Sequence, residues 1–233
     1  MKRFFDKAAC TAAPNGFAIK LDGKPVRTPR GEPLVLRSKP LATAVAAEWD
    51  AVPDPFNPAD LPLTKLVNTA LDRTATVQAD VVTELVKYAE TDLICYRAQH
   101  PDALVALQSQ HWDPVLDWLA HHHGIKLEPT TALIGHSQPT EALNHLKAHL
   151  QTLDCFELTG MHSLSTALGS VSLALAHRAG YLKDSETWAA ASVDEAFQMA
   201  HWGEDSEAQI ALDARKNDFL TASMFCSLYS RAA

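Results

Sequence analysis

Leu61-Pro62-Leu63-Thr64-Lys65-Leu66-Val67-Asn68-Thr69-Ala70-Leu71-Asp72 is where the chain changes its hydrophobic period. From here Leu63, Leu66, Val67, Ala70 and Leu71 fall on one face of a helix with 3.6 residues per turn. Val77, Val81, Val82, Leu85 and Tyr88 repeat the pattern in the next segment. Upstream the reading is different. Phe17-Ala18-Ile19-Lys20-Leu21 alternates apolar and polar, Leu21-Asp22-Gly23-Lys24 supplies the Asp-Gly pair of a tight hairpin, and Leu34-Val35-Leu36 reads as a further short strand. Nine of the 13 prolines stand at or before Pro62, which excludes a helix throughout that stretch. Ser38 is placed to cap one helix from Pro40 to Val52, with proline early, where its missing N–H removes no bond.

Downstream the helical reading continues. Pro101 opens a helix, Asp113-Pro114 restarts it over Val115, Leu116, Trp118 and Leu119, and Gly124 ends it. Lys126 to Gly135 is extended and Pro139 to Leu153 helical. Leu158 to Ala176 carries no Asp, Glu, Lys or Arg. Its Gly160, His162, Gly169 and several hydroxyl residues disfavour a membrane span, so it is expected as a buried central helix reaching Gly180. Asp184-Ser185 caps a helix to Trp202, and a last helix runs from Ser206 to Tyr229. The expected class is α+β: a small β-rich N-terminal domain with one packed helix, residues 1–62, then a larger multihelical domain, residues 63–233.

The 233 residues are 47% apolar and 21% charged, which excludes disordered, collagen-like and disulfide-scaffold classes. A chain of this length buries roughly 70–75% of its extended surface on folding. The net charge of −8 argues against a phosphate-backbone binder. The densest basic stretch, Lys20 to Lys39, scatters six Lys and Arg among turn residues, so nucleic acid is not expected as a partner. Cys10, Cys95, Cys155 and Cys226 form no CxxC pair and read as reduced thiols. No apolar h-region follows Met1-Lys2-Arg3, so no secretory signal is expected.

Chemistry-bearing patterns are sparse. His121-His122-His123 stand at a helix end, where protonated imidazoles complement the helix dipole, and His145 and His149 lie four apart without the glutamate of an HExxH motif. No GxSxG, GxGxxG or GxxxxGK[ST] sequence occurs, so neither a nucleophile elbow nor a nucleotide loop is expected. A metal-dependent hydrolase built on clustered histidines stays open as an alternative. So does a scaffold with some other partner. One charge feature stands out: Asp184 to Asp213 holds eight acidic residues and no Lys or Arg, together with Trp188, Phe197, Met199 and Trp202. It is either a solvated face or an acidic docking surface for a basic partner. Its candidate contacts include Asp194, Glu195, Trp202, Asp205 and Glu207.

Several segments in order carry a resemblance. They are Arg3-Phe4, Gly16-Phe17, Leu21-Asp22-Gly23-Lys24-Pro25, Arg27-Thr28-Pro29, Ala47-Glu48-Trp49-Asp50 and the run from Leu61 to Asp72. The most distinctive, Glu90-Thr91-Asp92-Leu93-Ile94-Cys95-Tyr96-Arg97-Ala98, is followed by Trp112-Asp113-Pro114 with Trp118, and by Trp202-Gly203-Glu204-Asp205 with Glu207-Ala208. Together they resemble the F1-ATPase assembly chaperones that act on the α subunit, called assembly factor 2 in mitochondria, with bacterial relatives. The resemblance implies a non-enzymatic holdase that binds the unassembled α subunit, prevents its aggregation and yields it to β. It implies no cofactor, no metal and no catalytic residue. It singles out Glu204, with Asp205 close behind, as the important acidic position. Trp49, Trp112 and Trp118 are expected as core anchors, and Asp72, Asp92 and Arg97 as internal pairs. A monomeric, bacterial, cytoplasmic protein outside the membrane is expected.

Overall fold

A computed structural model describes residues 1–132, 136–203 and 205–229. Among these residues there are four strands, β1 (Ala8–Ala13), β2 (Gly16–Leu21), β3 (Lys24–Pro25) and β4 (Val35–Leu36), and ten α-helices. The helices are α1 (Lys39–Ala51), α2 (Pro62–Asp72), α3 (Gln78–Glu90), α4 (Asp102–His123), α5 (Thr140–Leu150), α6 (Cys155–Leu168), α7 (Val171–Arg178), α8 (Asp184–Ala191), α9 (Val193–Trp202) and α10 (Ser206–Leu228). This is the α+β class expected from the change of period. The chain divides into two units. The first is Met1–Gln78, Asp154–Gly160 and the described residues from Met224 onward; the second is Ala79–Leu153 and Met161–Ser223.

In the first unit β1 and β2 pair antiparallel, with Ala8 opposite Leu21 and Cys10 opposite Ile19. The other side of β2 is shared: β3 pairs with Lys20 and Leu21, β4 with Phe17 and Ala18. The Asp-Gly hairpin forms as expected, with Asp22 at φ 45° and Gly23 at φ 80°, the left-handed pair of a type I′ turn. The Asp22 carboxylate accepts the Asp6 and Lys7 N–H groups, which holds its pKa below the usual carboxylate value. β1 therefore starts from a fixed point.

Three neighbouring residues of α1 each tie a different piece to that sheet. Trp49 is buried with Phe5 and Phe56 edge-on to its ring. Glu48 caps α2, accepting the Leu63 N–H at 2.6 Å, the Thr64 N–H at 2.9 Å and the Thr64 hydroxyl at 2.6 Å. Burial raises the Glu48 pKa even so. Asp50 accepts the Ala8 N–H at 2.9 Å. Arg3 donates to the carbonyls of Phe5, Asp6, Asp50 and Val52, and Asp72 accepts the Arg30 N–H.

This unit extends past residue 62, where the proline-rich stretch stops, because Leu63, Val67 and Ala70 of α2 enter the core around Leu41, Val45 and Trp49. Phe156 and Phe225 enter it too, stacked 6.1 Å apart, and Tyr229 stacks on Phe156 and donates its hydroxyl to Asp154. Gly160 allows α6 to meet α10 here: a Cβ at this position would stand 2.4 Å from Cys226 Sγ.

In the second unit α4 packs against α5, α7, α8 and α9, and α7 against α8. Three helix boundaries differ from those expected. α4 does not restart at Asp113-Pro114; it passes through Pro114 unbroken. Pro114 is exposed, whereas Trp112, Val115 and Leu119 around it are fully buried, so tertiary packing outweighs the one missing backbone bond. The uncharged helix is interrupted at Gly169, and Ser170 caps the N-terminus of α7 through Leu173. Residues Val171 to Ala176 are all buried, which suits the central role expected for this segment. The helix after Asp184 breaks at Ser192, whose hydroxyl bonds back to the Trp188 carbonyl.

Candidate functional site

The segment singled out by charge occupies α8, α9 and the first turns of α10. Most of its carboxylates have internal partners. Asp184 accepts the Ser223 hydroxyl and faces His177 at 3.4 Å; Glu186 accepts the Lys183 N–H. Asp194 accepts the amide of the buried Gln108 at 2.7 Å, and that amide's oxygen accepts the Ala98 N–H. Glu195 pairs with Arg215 at 2.8 Å, whose guanidinium stacks on Trp188 and donates to the Ala191 carbonyl. These links hold α9 to α4 and α10. The acid-rich composition is thus largely structural at Asp184, Glu186, Asp194 and Glu195.

The turn between α9 and α10 is different. Gly203 closes α9 by donating its N–H to the Met199 carbonyl, and leaves Trp202 87% exposed. Asp205 caps α10: its carboxylate accepts the Glu207 N–H at 2.9 Å and its carbonyl the Gln209 N–H. Glu207 is exposed in the first turn, and Gln209 bonds Asp213 one turn on. Ile210 is 70% exposed, and no residue of α10 is buried before Phe219. A helix start that buries so little is held by its cap, by the Gln209–Asp213 bond and by the Arg215–Glu195 pair. Exposed indole and isoleucine side chains are thereby presented beside carboxylates. Glu204 lies outside the described residues.

Of the six sequence candidates, the structure brings Trp202, Asp205 and Glu207 to one exposed turn. It directs Asp194 and Glu195 to internal partners. Ile210 was not singled out by sequence reading. A signal for it exists: its helical neighbours Ser206, Glu207, Asp213 and Ala214 include no large apolar residue, so it belongs to no buried stripe.

The segment carrying the most distinctive motif is built as a staple. Asp92 is fully buried; one carboxylate oxygen accepts the Ile94 N–H, the other the N–H and hydroxyl of Ser172 in the first turn of α7. Burial pushes its pKa up. The Cys95 carbonyl accepts the Thr130 N–H and the Thr130 carbonyl accepts the Arg97 N–H, while the Arg97 side chain pairs with Asp113 at 2.8 Å and stacks on Trp112. Trp112 donates to the Ala190 carbonyl. Trp118 departs from the expected core role: it is half-buried, stacked between Tyr181 and His122.

Residues 2–120 match the ATP12 chaperone protein family. The chain belongs to the ATP12 chaperone family. Its structure is similar to the crystal structure of Atp12 from Paracoccus denitrificans, with 36% identity, a TM-score of 0.91 and 97% of each chain covered. It is also similar to a protein of Agrobacterium tumefaciens, with 37% identity and a TM-score of 0.90, over 97% of this chain and 85% of that one. The family match over residues 2–120 includes Glu48, Asp92 and Arg97, whose capping and stapling roles are described above. The α9–α10 turn lies beyond it.

Among the described residues of this ATP12 chaperone, no three His, Cys, Asp or Glu side chains gather to hold a metal. His145 instead faces the Gly124 carbonyl at 2.8 Å, and His121 and His122 the carbonyls one turn back. Burial pushes the Cys95 thiol up to about 12, far from a reactive thiolate. No helix among the described residues is long and apolar enough to cross a membrane.

Proposed function

We propose that this ATP12-family chaperone acts in assembly of the F1 sector of ATP synthase, in the bacterial cytoplasm, by holding the unassembled α subunit until the β subunit displaces it. The observation that carries the reading is Trp202, exposed on a turn bordered by Asp205 and Glu207 and followed by exposed Ile210. Tryptophan is among the residues that contribute most when buried in an interface, and carboxylates around it steer and align a partner of opposite charge. Glu204, which stands between Gly203 and Asp205 in sequence, belongs to the same proposed contact.

The physical task suits such a surface. A subunit face destined for an obligate interface is apolar and aggregation-prone while exposed. A holder needs a complementary face, with affinity low enough that the final neighbour wins. Nucleotide hydrolysis and a catalytic group have no part in this mechanism, in which a monomeric chaperone meets α before β does.

Light scattering of purified cognate α subunit tests the reading. Suppression near one-to-one stoichiometry, relieved by β and absent with an unrelated acidic protein, is the expected result. Unchanged scattering with no co-elution of α overturns the partner.

A further inference from the structure

We infer that the outer edge of β1, with the groove between it and α1, is a second contact for the client, and that it takes an extended strand of the unassembled polypeptide. This rests on the holdase reading above and adds to it the form in which the client is bound.

The edge follows from the hydrogen-bond directions in β2. Ile19 donates its N–H to the Leu34 carbonyl and accepts the Val26 N–H, both away from β1. Its partner Cys10 is therefore a non-hydrogen-bonded position, with N–H and C=O directed outward. Alternation by two gives Ala8 and Ala12 the same direction, and Ala8 confirms it by donating outward to Asp50. The groups left over are the Ala8 carbonyl and both backbone groups of Cys10 and Ala12, none of which has a partner among the described residues.

Sheet edges are normally blunted by lysine, proline, a bulge or a covering segment. β1, Ala8-Ala9-Cys10-Thr11-Ala12-Ala13, contains no charge and no proline. Beside it lies a cavity of about 520 Å³, lined among others by Cys10, Ala12, Lys39, Thr43, Ala47 and Asp50. Its small side chains let a backbone approach closely. The edge from Ala8 to Ala12 is roughly 13 Å long, enough for a strand of about five residues. Asp50 closes one end through Ala8. Lys39, eleven residues earlier on α1 and without an ion-pair partner among the described residues, stands some way along, roughly 16 Å by helical rise. The occupant is thus an extended segment with small or apolar side chains and a carboxylate near the Lys39 end. Strand addition of this kind draws affinity from backbone bonds and tolerates varied sequences, which suits a client that is not yet in its final assembly.

The test is hydrogen exchange of the Cys10 and Ala12 amides in the whole protein, alone and with purified α subunit. Expected are fast exchange alone and at least about tenfold slowing in the complex. Ala12→Pro removes only an outward donor, and Thr43→Phe fills the groove from an exposed position of α1. Each is expected to weaken α binding about tenfold at unchanged thermal stability. Binding of α with β1 amides still exchanging freely, or with both variants at full affinity, overturns the inference and leaves the holdase reading intact. If wild type fails to bind α, the holdase reading falls, and an array of overlapping 12-residue peptides from the F1 subunits decides the edge. Capture that Ala12→Pro abolishes supports it; no capture overturns it. Slow, concentration-dependent exchange in the free protein, with a dimer in sedimentation, assigns the edge to a second copy and overturns the client strand.

Discussion

Asp92 and Ser172 are joined twice, the Ser172 amide and hydroxyl both donating to a single carboxylate oxygen at 3.0 and 2.8 Å. The pair anchors the chain entering the 92–97 segment to the first turn of a buried helix, where the helix dipole favours a carboxylate. Asp92→Ala leaves the Ser172 and Ile94 donors without an acceptor in a dry site, and is expected to lower stability by about 3 kcal/mol. Asp92→Asn, keeping one acceptor oxygen, loses less. Urea unfolding midpoints read both.

Glu48 holds the start of α2 through three donors from Leu63 and Thr64. Glu48→Ala is expected to lower stability by about 2 kcal/mol, and Glu48→Gln by about half as much, by loss of the cap. Both variants are expected to keep native circular dichroism at low temperature. A midpoint equal to wild type for Glu48→Ala contradicts the assigned role.

His177 is packed against Phe219, with Ser223 and Asp184 at one ring nitrogen and Thr187 at the other. Burial outweighs the Asp184 attraction and lowers its pKa below the ordinary 6.5. The unfolded chain then binds more protons than the native one in the interval beneath 6.5. Stability is lost as pH falls from above 6.5 through the folded-state value. Melting temperatures of wild type are expected to drop more between pH 8 and pH 5.5 than those of His177→Asn. Parallel pH profiles contradict this.

Trp202 contributes little to the fold because it is almost wholly exposed. Trp202→Ala is expected to change stability by less than about 0.5 kcal/mol. It is also expected to raise the amount of protein needed to suppress α-subunit aggregation about tenfold. Ile210→Ser is expected to act in the same direction more weakly. Light scattering and a melting curve on the same preparations separate the two effects.

Where sequence reading succeeded, the signal was local and strong. Asp22-Gly23 has few conformational alternatives between two apolar-alternating runs, and Ser38 has the geometry of a cap within its own turn. Where it failed, distant packing decided. Pro114 looks like a restart until Trp112 and Val115 are seen to be buried on either side of it. The break at Gly169 depends on the distant 92–93 segment, where Leu93 donates its N–H to the Gly169 carbonyl and Asp92 holds the first turn of α7. The break at Ser192 is local, its hydroxyl bonding the Trp188 carbonyl one turn back. The acidic stretch is legible in the sequence as a run of carboxylates, either a solvated face or a docking surface, but Asp194 and Glu195 are distinguished from Glu207 only by Gln108 and Arg215, residues well removed in sequence. Trp118 misled for the opposite reason: a large aromatic beside core positions turned to stack on Tyr181 at the surface.

The first unit has a further consequence for how the protein is made. Its core needs Phe156 and Phe225, and Ser38, which caps α1, donates its hydroxyl to the Leu228 carbonyl. During vectorial synthesis the sheet and its two helices leave the ribosome with part of their own interior still to be translated. The sheet, β1 included, reaches its final packing only after Phe225 and Leu228 have been made. A member of a chaperone family is in this respect itself exposed to aggregation while incomplete, and the speed with which the 224–229 segment returns sets how long that hazard lasts.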